Sequence, residues 1–168
     1  MYFLKNSHVS SIKCAWVCSF IFLGLLVGCH QNDTRFTQMD PKSLGIEFEN
    51  QLSYTEEFNP YTYRNFYNGA GVAMGDINND GLIDLYFTGN MTENKLYLNK
   101  GDWKFEDITE SAGVTGDGGW STGVSMADVN GDGLLDIYVC QVNEQGNGKG
   151  KNKLYLNQGK LKFKEAAA

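Results

Sequence analysis

The chain has 168 residues, 42% of them hydrophobic and 20% charged, with 14 basic against 20 acidic side chains and a formal net charge of −6. That is room for one modest core, and the acidic balance argues against nucleic acid, whose phosphates would be repelled. Its histidines, His8 and His30, both lie near the N-terminus, so the part expected to fold lacks the base of a Ser/His/Asp or Cys/His nucleophile system, while carboxylate acid/base chemistry stays open.

Residues 1–28 read as an export signal. Lys5 and Lys13 precede CAWVCSFIFLGLLVG, fifteen uncharged residues, short of the roughly 20 that a helix needs to cross a bilayer. The run ends in LVGC, Leu26 to Cys29, which resembles the bacterial lipobox. The resemblance implies cleavage before Cys29, acylation of that residue, and a lipid-anchored protein of the bacterial cell envelope, at the outer membrane. The alternative is an ordinary secretory signal or an uncleaved anchor. Loss of Lys5 and Lys13 leaves 12 basic against 20 acidic residues, a net charge of −8 that suits a binder of cations. Cys14 and Cys18 leave with the signal and Cys140 stands alone, so no intrachain disulfide framework is available, and Cys140 is expected as a buried strand residue.

Residues 29–44 are polar and read as a tether; residues 45–70 form a lead-in to the repeats. The lead-in carries Phe58, Tyr61, Tyr63, Phe66 and Tyr67 with Arg64 among them. They are read as sheet packing in preference to a platform for stacking sugars.

From residue 71 the chain repeats itself, as 71–122 and 123–168. GVAMGDINNDGLIDLY aligns with GVSMADVNGDGLLDIY, and NKLYLN occurs at Asn94 and again at Asn152, where six extra residues around EQGNGKGK precede it. Each unit offers four short strands, 71–75, 85–89, 95–99 and 104–108 in the first, and 123–127, 137–141, 153–157 and 161–164 in the second. Within KLYLN, Leu96 and Leu98 point one way and Lys95, Tyr97 and Asn99 the other. Four strands in about fifty residues is the period of a propeller blade, so an all-β fold is expected.

Between the first two strands of each unit lies an acidic loop, DINNDGLID or DVNGDGLLD. Counted from its first Asp, side-chain oxygens fall at positions 1, 3, 5 and 9: Asp76, Asn78, Asp80 and Asp84, then Asp128, Asn130, Asp132 and Asp136. The carbonyl of position 7, Leu82 or Leu134, is the fifth donor. Position 6, Gly81 or Gly133, needs a residue free to take positive φ. Hard, mostly anionic oxygens at alternate positions suit Ca²⁺, giving two sites of structural role. The alternative is an Asx-rich turn without metal. An EF-hand is excluded, because position 12 is Phe87 or Val139 rather than a bidentate Glu.

The strand–loop–strand setting resembles the FG-GAP/VCBS repeat of integrin-type β-propellers, and the resemblance implies calcium at the positions named. FNPYTYRNFYNGAGVAMGDINNDG and NKLYLNKGDWKFEDITESAGV look like the opening blades of larger bacterial surface proteins that pair these repeats with a C-terminal ASPIC/UnbV domain and are related to cartilage acidic proteins. The likeness covers roughly residues 35–168 and implies a ring of about seven blades, of which two full repeats are present here; the ending FKEAAA breaks off a motif whose first copy runs on as FEDITESAGV. A fragment is therefore expected, with further blades or self-association covering an apolar face built from Leu134, Ile137, Val139, Leu154 and Leu156.

The expected function is a non-enzymatic, calcium-binding, lipid-anchored module for a protein or polysaccharide outside the membrane. The competing readings are a propeller enzyme acting on polysaccharide, as a lyase or carboxylate hydrolase, and an inactive remnant. Two carboxylates outside the loops converging in one cleft would favour the enzyme.

Overall fold

Each repeat folds into a four-stranded antiparallel meander, because short β-branched and aromatic runs are separated by turns rich in Asp, Asn and Gly. In the computed structural model, which describes residues 35–142 and 150–167, the first sheet comprises β1 (Val72–Gly75), β2 (Asp84–Phe87), β3 (Lys95–Asn99) and β4 (Phe105–Asp107) in that order. The second comprises β5 (Trp120–Ala127), β6 (Asp136–Val142), β7 (Lys153–Asn157) and β8 (Phe163–Glu165), again in chain order. The chain divides into units 1–38 and 39–168, and both sheets lie in the second. The signal segment, Cys29 and the start of the tether lie outside the described residues, as does most of the glycine-rich insertion.

Strand alternation decides how the sheets stack. Tyr86 stands opposite Leu96 across β2 and β3, and with Leu98 they form one face of the first sheet. Ile137 stands opposite Tyr155 in the second, on the face that also carries Val139. Both sets are buried in one cluster, sealed by Ile77, Ile108, Ala112 and Val114. The two blades therefore pack face to face, and they do not close into a ring.

The stacking corrects two expectations. Ile137 and Val139 are fully buried against the first blade rather than presented to solvent. The uncovered side of the second blade is the opposite one, carrying Tyr138, Leu154 and Leu156. Tyr138 occupies the place in its repeat that Tyr86 occupies in the first, yet it is 40% exposed where Tyr86 is 0% exposed. Cys140 is likewise exposed rather than buried, because it follows Val139 by one residue and period-two alternation turns it outward with Tyr138.

The first blade's other face is covered by the lead-in. Phe48 stacks on Phe87 with ring centroids 5.1 Å apart, and Tyr97 meets Phe87 edge-on at 5.9 Å. The Glu47 N–H donates to the Tyr97 hydroxyl at 3.2 Å, so Tyr97 is buried although it points away from Leu96 and Leu98. The C-terminal end of the polar segment expected as a tether belongs to this cover. A helical turn α1 (Pro41–Leu44), capped by the Asp40 side chain, ends at Gly45 with φ of 83°, where a Cβ would come 2.4 Å from the Phe105 carbonyl oxygen. Only glycine permits that approach to β4. Lys104 Nζ donates to the Ser43 carbonyl at 2.6 Å, tying the same turn to the sheet.

A second helical turn, α2 (Thr109–Ala112), follows β4 and buries Thr109 and Ala112. Further along the connection to β5, Asp117 forms an ion pair with Lys153 at 3.0 Å, which Lys153 shares with Glu165 at 3.1 Å. The aromatic lead-in divides. Phe58, Tyr63 and Phe66 pack on Trp120 at the head of β5, as expected of sheet packing, whereas Tyr61 and Tyr67 stay exposed.

Candidate functional site

The acidic loops join β1 to β2 and β5 to β6, at the same end of neighbouring sheets. Their backbones are near copies. Gly81 has φ of 85° and Gly133 φ of 84°, the left-handed turn expected at position 6. Position 4 is left-handed as well, at Asn79 (φ 60°) and Gly131 (φ 79°), which accounts for the residues that tolerate that conformation there.

The side chains at positions 1, 3 and 5 are each held by hydrogen bonds within their loop. Asp76 accepts from the N–H groups of Asp80 at 3.1 Å and Gly81 at 2.7 Å, and Asp128 accepts from Asp132 at 3.2 Å and Gly133 at 2.8 Å. Asn78 Nδ2 donates to Asp80 Oδ2 at 2.9 Å, and Asn130 to Asp132 at the same distance. The N–H groups of Leu82 and Leu134 close each turn on Asp80 at 2.8 Å and Asp132 at 2.9 Å. Desolvation raises the Asp76 carboxyl, but the N–H groups of Gly81, Asp80, Asn78 and Asn79 outweigh it and hold the group below the ordinary carboxylate range. Asp128 is lowered in the same way, chiefly by the Gly133 N–H.

Position 9 behaves differently. Asp84 is fully buried, and its two oxygens accept from the N–H groups of Ile77 at 3.0 Å and Asn99 at 2.8 Å. Asp136 repeats this with Val129 at 3.0 Å and Asn157 at 2.8 Å. Each carboxylate thus clasps the start of its loop to the end of the third strand of its sheet. Burial pushes the Asp84 carboxyl above the ordinary range, against the two N–H groups and with added repulsion from Asp80 and Asp76. Sequence spacing identified these residues as donors and missed the clasp, since the N–H of Asn99 comes from fifteen residues away.

The loops also meet one another. Asn79 Nδ2 donates to the Gly133 carbonyl at 3.1 Å, and Asn157 Nδ2 reaches from the second blade to the Ile77 carbonyl at 2.8 Å. Six carboxylates, those of Asp76, Asp80, Asp84, Asp128, Asp132 and Asp136, are held at one end of the pair of sheets. The donor set is made of oxygens alone, which fits a hard divalent cation. Among the described residues no group of three or more His, Cys, Asp or Glu is drawn together into a ready metal cage; N–H donors close both turns.

Outside the loops, Asp107 and Glu110 line one cleft with Lys95 and Ser111, and Asp107 and Asp117 are held in ion pairs. Asp107 pairs with Lys95 at 3.0 Å and accepts from Thr109, and Asp117 is held by Lys153. Both are pulled below the ordinary range by these partners, against desolvation.

A β-sheet pair with duplicated Asp/Asn loops defines a repeat class, and the family model of the FG-GAP-like repeat matches residues 76–139. Both loops and the connection between them lie inside that match. The chain is also similar to part of cartilage acidic protein 1: it is 36% identical to the protein of that name from Xenopus tropicalis over 102 residues, and 35% identical to that of Homo sapiens over 103. These alignments cover 59% and 60% of this chain and 15% of each relative. The chain therefore spans a small part of the length of the curated relatives it matches.

Proposed function

We propose that the chain is a non-enzymatic binding module, stiffened by calcium in its two loops and held to the bacterial cell envelope by a lipid on Cys29. The observation that carries this reading is duplication. Two loops share the same oxygen donors, the same left-handed turns and the same buried clasp, on neighbouring blades; the clasp uses one carboxylate of each loop, and in the first loop the other two crowd further negative charge beside it. Asp76, Asn78, Asp80, the Leu82 carbonyl and Asp84 would hold one ion, and Asp128, Asn130, Asp132, the Leu134 carbonyl and Asp136 the other. Bound there, calcium neutralises carboxylates that otherwise repel one another and fixes the turns. It has no catalytic part in this reading. The partner is a protein or polysaccharide outside the membrane, and nucleic acid is disfavoured by the acidic charge. The occupants of the second blade's open face are further blades or a second copy of the chain.

Calcium that binds only the folded state stabilises it by about 3 kcal/mol at a hundred-fold excess over Kd. The chain should therefore melt at a lower temperature in chelator than in calcium, and the double variant Asp80→Ala, Asp132→Ala should lose that difference. An identical melt with and without chelator would show the loops to be turns held by N–H donors alone.

A further inference from the structure

The packing of the lead-in leaves one feature unused. Of its aromatic side chains, Phe58, Tyr63 and Phe66 are consumed against Trp120, but Tyr54, Tyr61 and Tyr67 are 74%, 100% and 68% exposed. These three tyrosines line a single open cleft of about 860 Å³, with Glu56 and Asn59 among the other lining residues. The size lies within the range of small-ligand sites, and the lining combines large aromatic surfaces with a few polar groups.

The loop that carries them is built rigidly. Asn59 Oδ1 accepts from the N–H of Tyr61 at 2.9 Å, and its Nδ2 donates to the carbonyls of Thr55 at 3.1 Å and Glu56 at 2.9 Å. The hydroxyls of Thr55 and Thr62 accept from the N–H groups of Phe58 at 3.0 Å and Asn59 at 2.9 Å. Tyr67 is held edge-on against Phe66 with centroids 5.1 Å apart, and Phe58 anchors the loop to Trp120 at 5.2 Å. With the backbone held, the ordering cost of a ligand is confined to the two side-chain torsions of each tyrosine, and Tyr67 is already placed by Phe66.

We propose that the cleft of Tyr54, Tyr61 and Tyr67 is a binding site for a neutral oligosaccharide. The inference rests on the binding-module reading above and names its ligand class and position. Sugar rings present apolar C–H faces and a rim of hydroxyls. The tyrosine faces take the first, and the Glu56 carboxylate and tyrosine hydroxyls take the second. Charge selects against uronic or sulfated sugars, because Glu56 lines the cleft and the chain carries a net −6. Asn59 is a positioning residue, its amide already spent on the backbone.

The test is titration calorimetry of the full chain in calcium with cellohexaose, laminarihexaose, mannohexaose and chitohexaose, and with a hexagalacturonate as the acidic probe. At least one neutral hexamer should bind and the acidic one should not. Tyr61→Ala should weaken binding by about tenfold, while Tyr61→Phe retains most of it. Because Tyr61 is wholly exposed, its melting temperature should not move; Tyr54→Ala with Tyr61→Ala supplies a second variant that spares the aromatic core. Failure of every neutral hexamer to bind, or preference for the acidic one, overturns the proposal. A neutral sugar that binds the double variant undiminished also overturns it, but leaves the binding-module reading standing with its site elsewhere. Conversely, a parent chain whose melt is the same with and without chelator, and which still binds sugar, would sink the calcium reading and not this one.

Discussion

Asp84 separates the two roles that a loop carboxylate can have. Replacing it with alanine leaves the N–H groups of Ile77 and Asn99, at 3.0 and 2.8 Å in the parent, without acceptors. A buried donor left unpaired costs about 1–3 kcal/mol, so the two together cost roughly 2–6. Relief acts the other way: burial and the neighbouring charges of Asp80 and Asp76 already disfavour the ionised Asp84. The net loss is then expected near the lower half of that range, about 2–4 kcal/mol. Asp80 is exposed and its hydrogen bonds lie at the surface, so Asp80→Ala should cost about 0.5 kcal/mol or less when no metal is present.

Urea unfolding in excess chelator reads the difference without any contribution from calcium. With a slope of about 2 kcal/mol per molar urea, the middle of the usual range, Asp84→Ala should lower the midpoint by roughly 1–2 M and Asp80→Ala should barely move it. Asp84→Asn keeps one carbonyl acceptor and sets an NH₂ group against a backbone donor, so it should fall between the parent and the alanine variant. If Asp84→Ala in chelator stays within about 0.5 kcal/mol of the parent, or if Asp80→Ala costs as much, the clasp is not what holds the loop to β3 and the reasoning fails.

Three further expectations concern the rest of the molecule. Asp107 and Asp117 have lowered carboxyls, so their stabilisation is complete above the ordinary carboxylate range and is lost as pH falls through their lowered values; Asp84, being raised, opposes them over its own range. The urea midpoint should therefore drop as pH falls below the ordinary carboxylate range, and Asp107→Asn with Asp117→Asn should flatten the decline; a parent midpoint that does not move on acidification contradicts this. The open face bearing Tyr138, Leu154 and Leu156 should drive concentration-dependent association in light scattering that Tyr138→Lys with Leu154→Lys suppresses, and a parent that stays monomeric at every concentration would refute it. Cys29→Ser should release the protein from membranes and remove its acyl label, since stable attachment takes more than one acyl chain; acylated, membrane-bound Cys29→Ser protein would dispose of the lipid anchor.

The parts of the fold that were legible in the sequence are those written in local spacing. β3 (Lys95–Asn99) and β7 (Lys153–Asn157) match the expected strands residue for residue, because KLYLN alternates cleanly between Asn and Asn. β5 starts at Trp120, three residues before the expected strand, where Trp120 pairs with Val142 and packs against aromatics of the lead-in, a contact from outside the repeat. Which face of a blade is covered was not legible. Period two places Ile137 and Tyr138 on opposite sides, and only the position of the first blade decides that Ile137 is the buried one. The aromatic run behaves in a related way: its five rings were read together as sheet packing in preference to a sugar platform, and only contact with Trp120 separates Phe58, Tyr63 and Phe66 from the exposed Tyr61 and Tyr67, while Tyr54 lay outside that reading.

The same dependence on a neighbour runs through the loops. Ile77 and Val129 hold the same place in their repeats, and each N–H donates to its own buried Asp. Ile77 is 2% exposed and Val129 54%. The difference comes from the next blade: Asn157 Nδ2 bonds the Ile77 carbonyl as well as the Leu135 carbonyl of its own sheet, whereas its counterpart Asn99 bonds Ile83 within the first sheet. One asparagine side chain thus ties its own hairpin and, when a blade precedes it, the loop of that blade. The last Asn of NKLYLN is accordingly a coupling element, and with the Asn79 amide on the Gly133 carbonyl it joins the first loop to the second blade by hydrogen bonds that supplement the apolar stack.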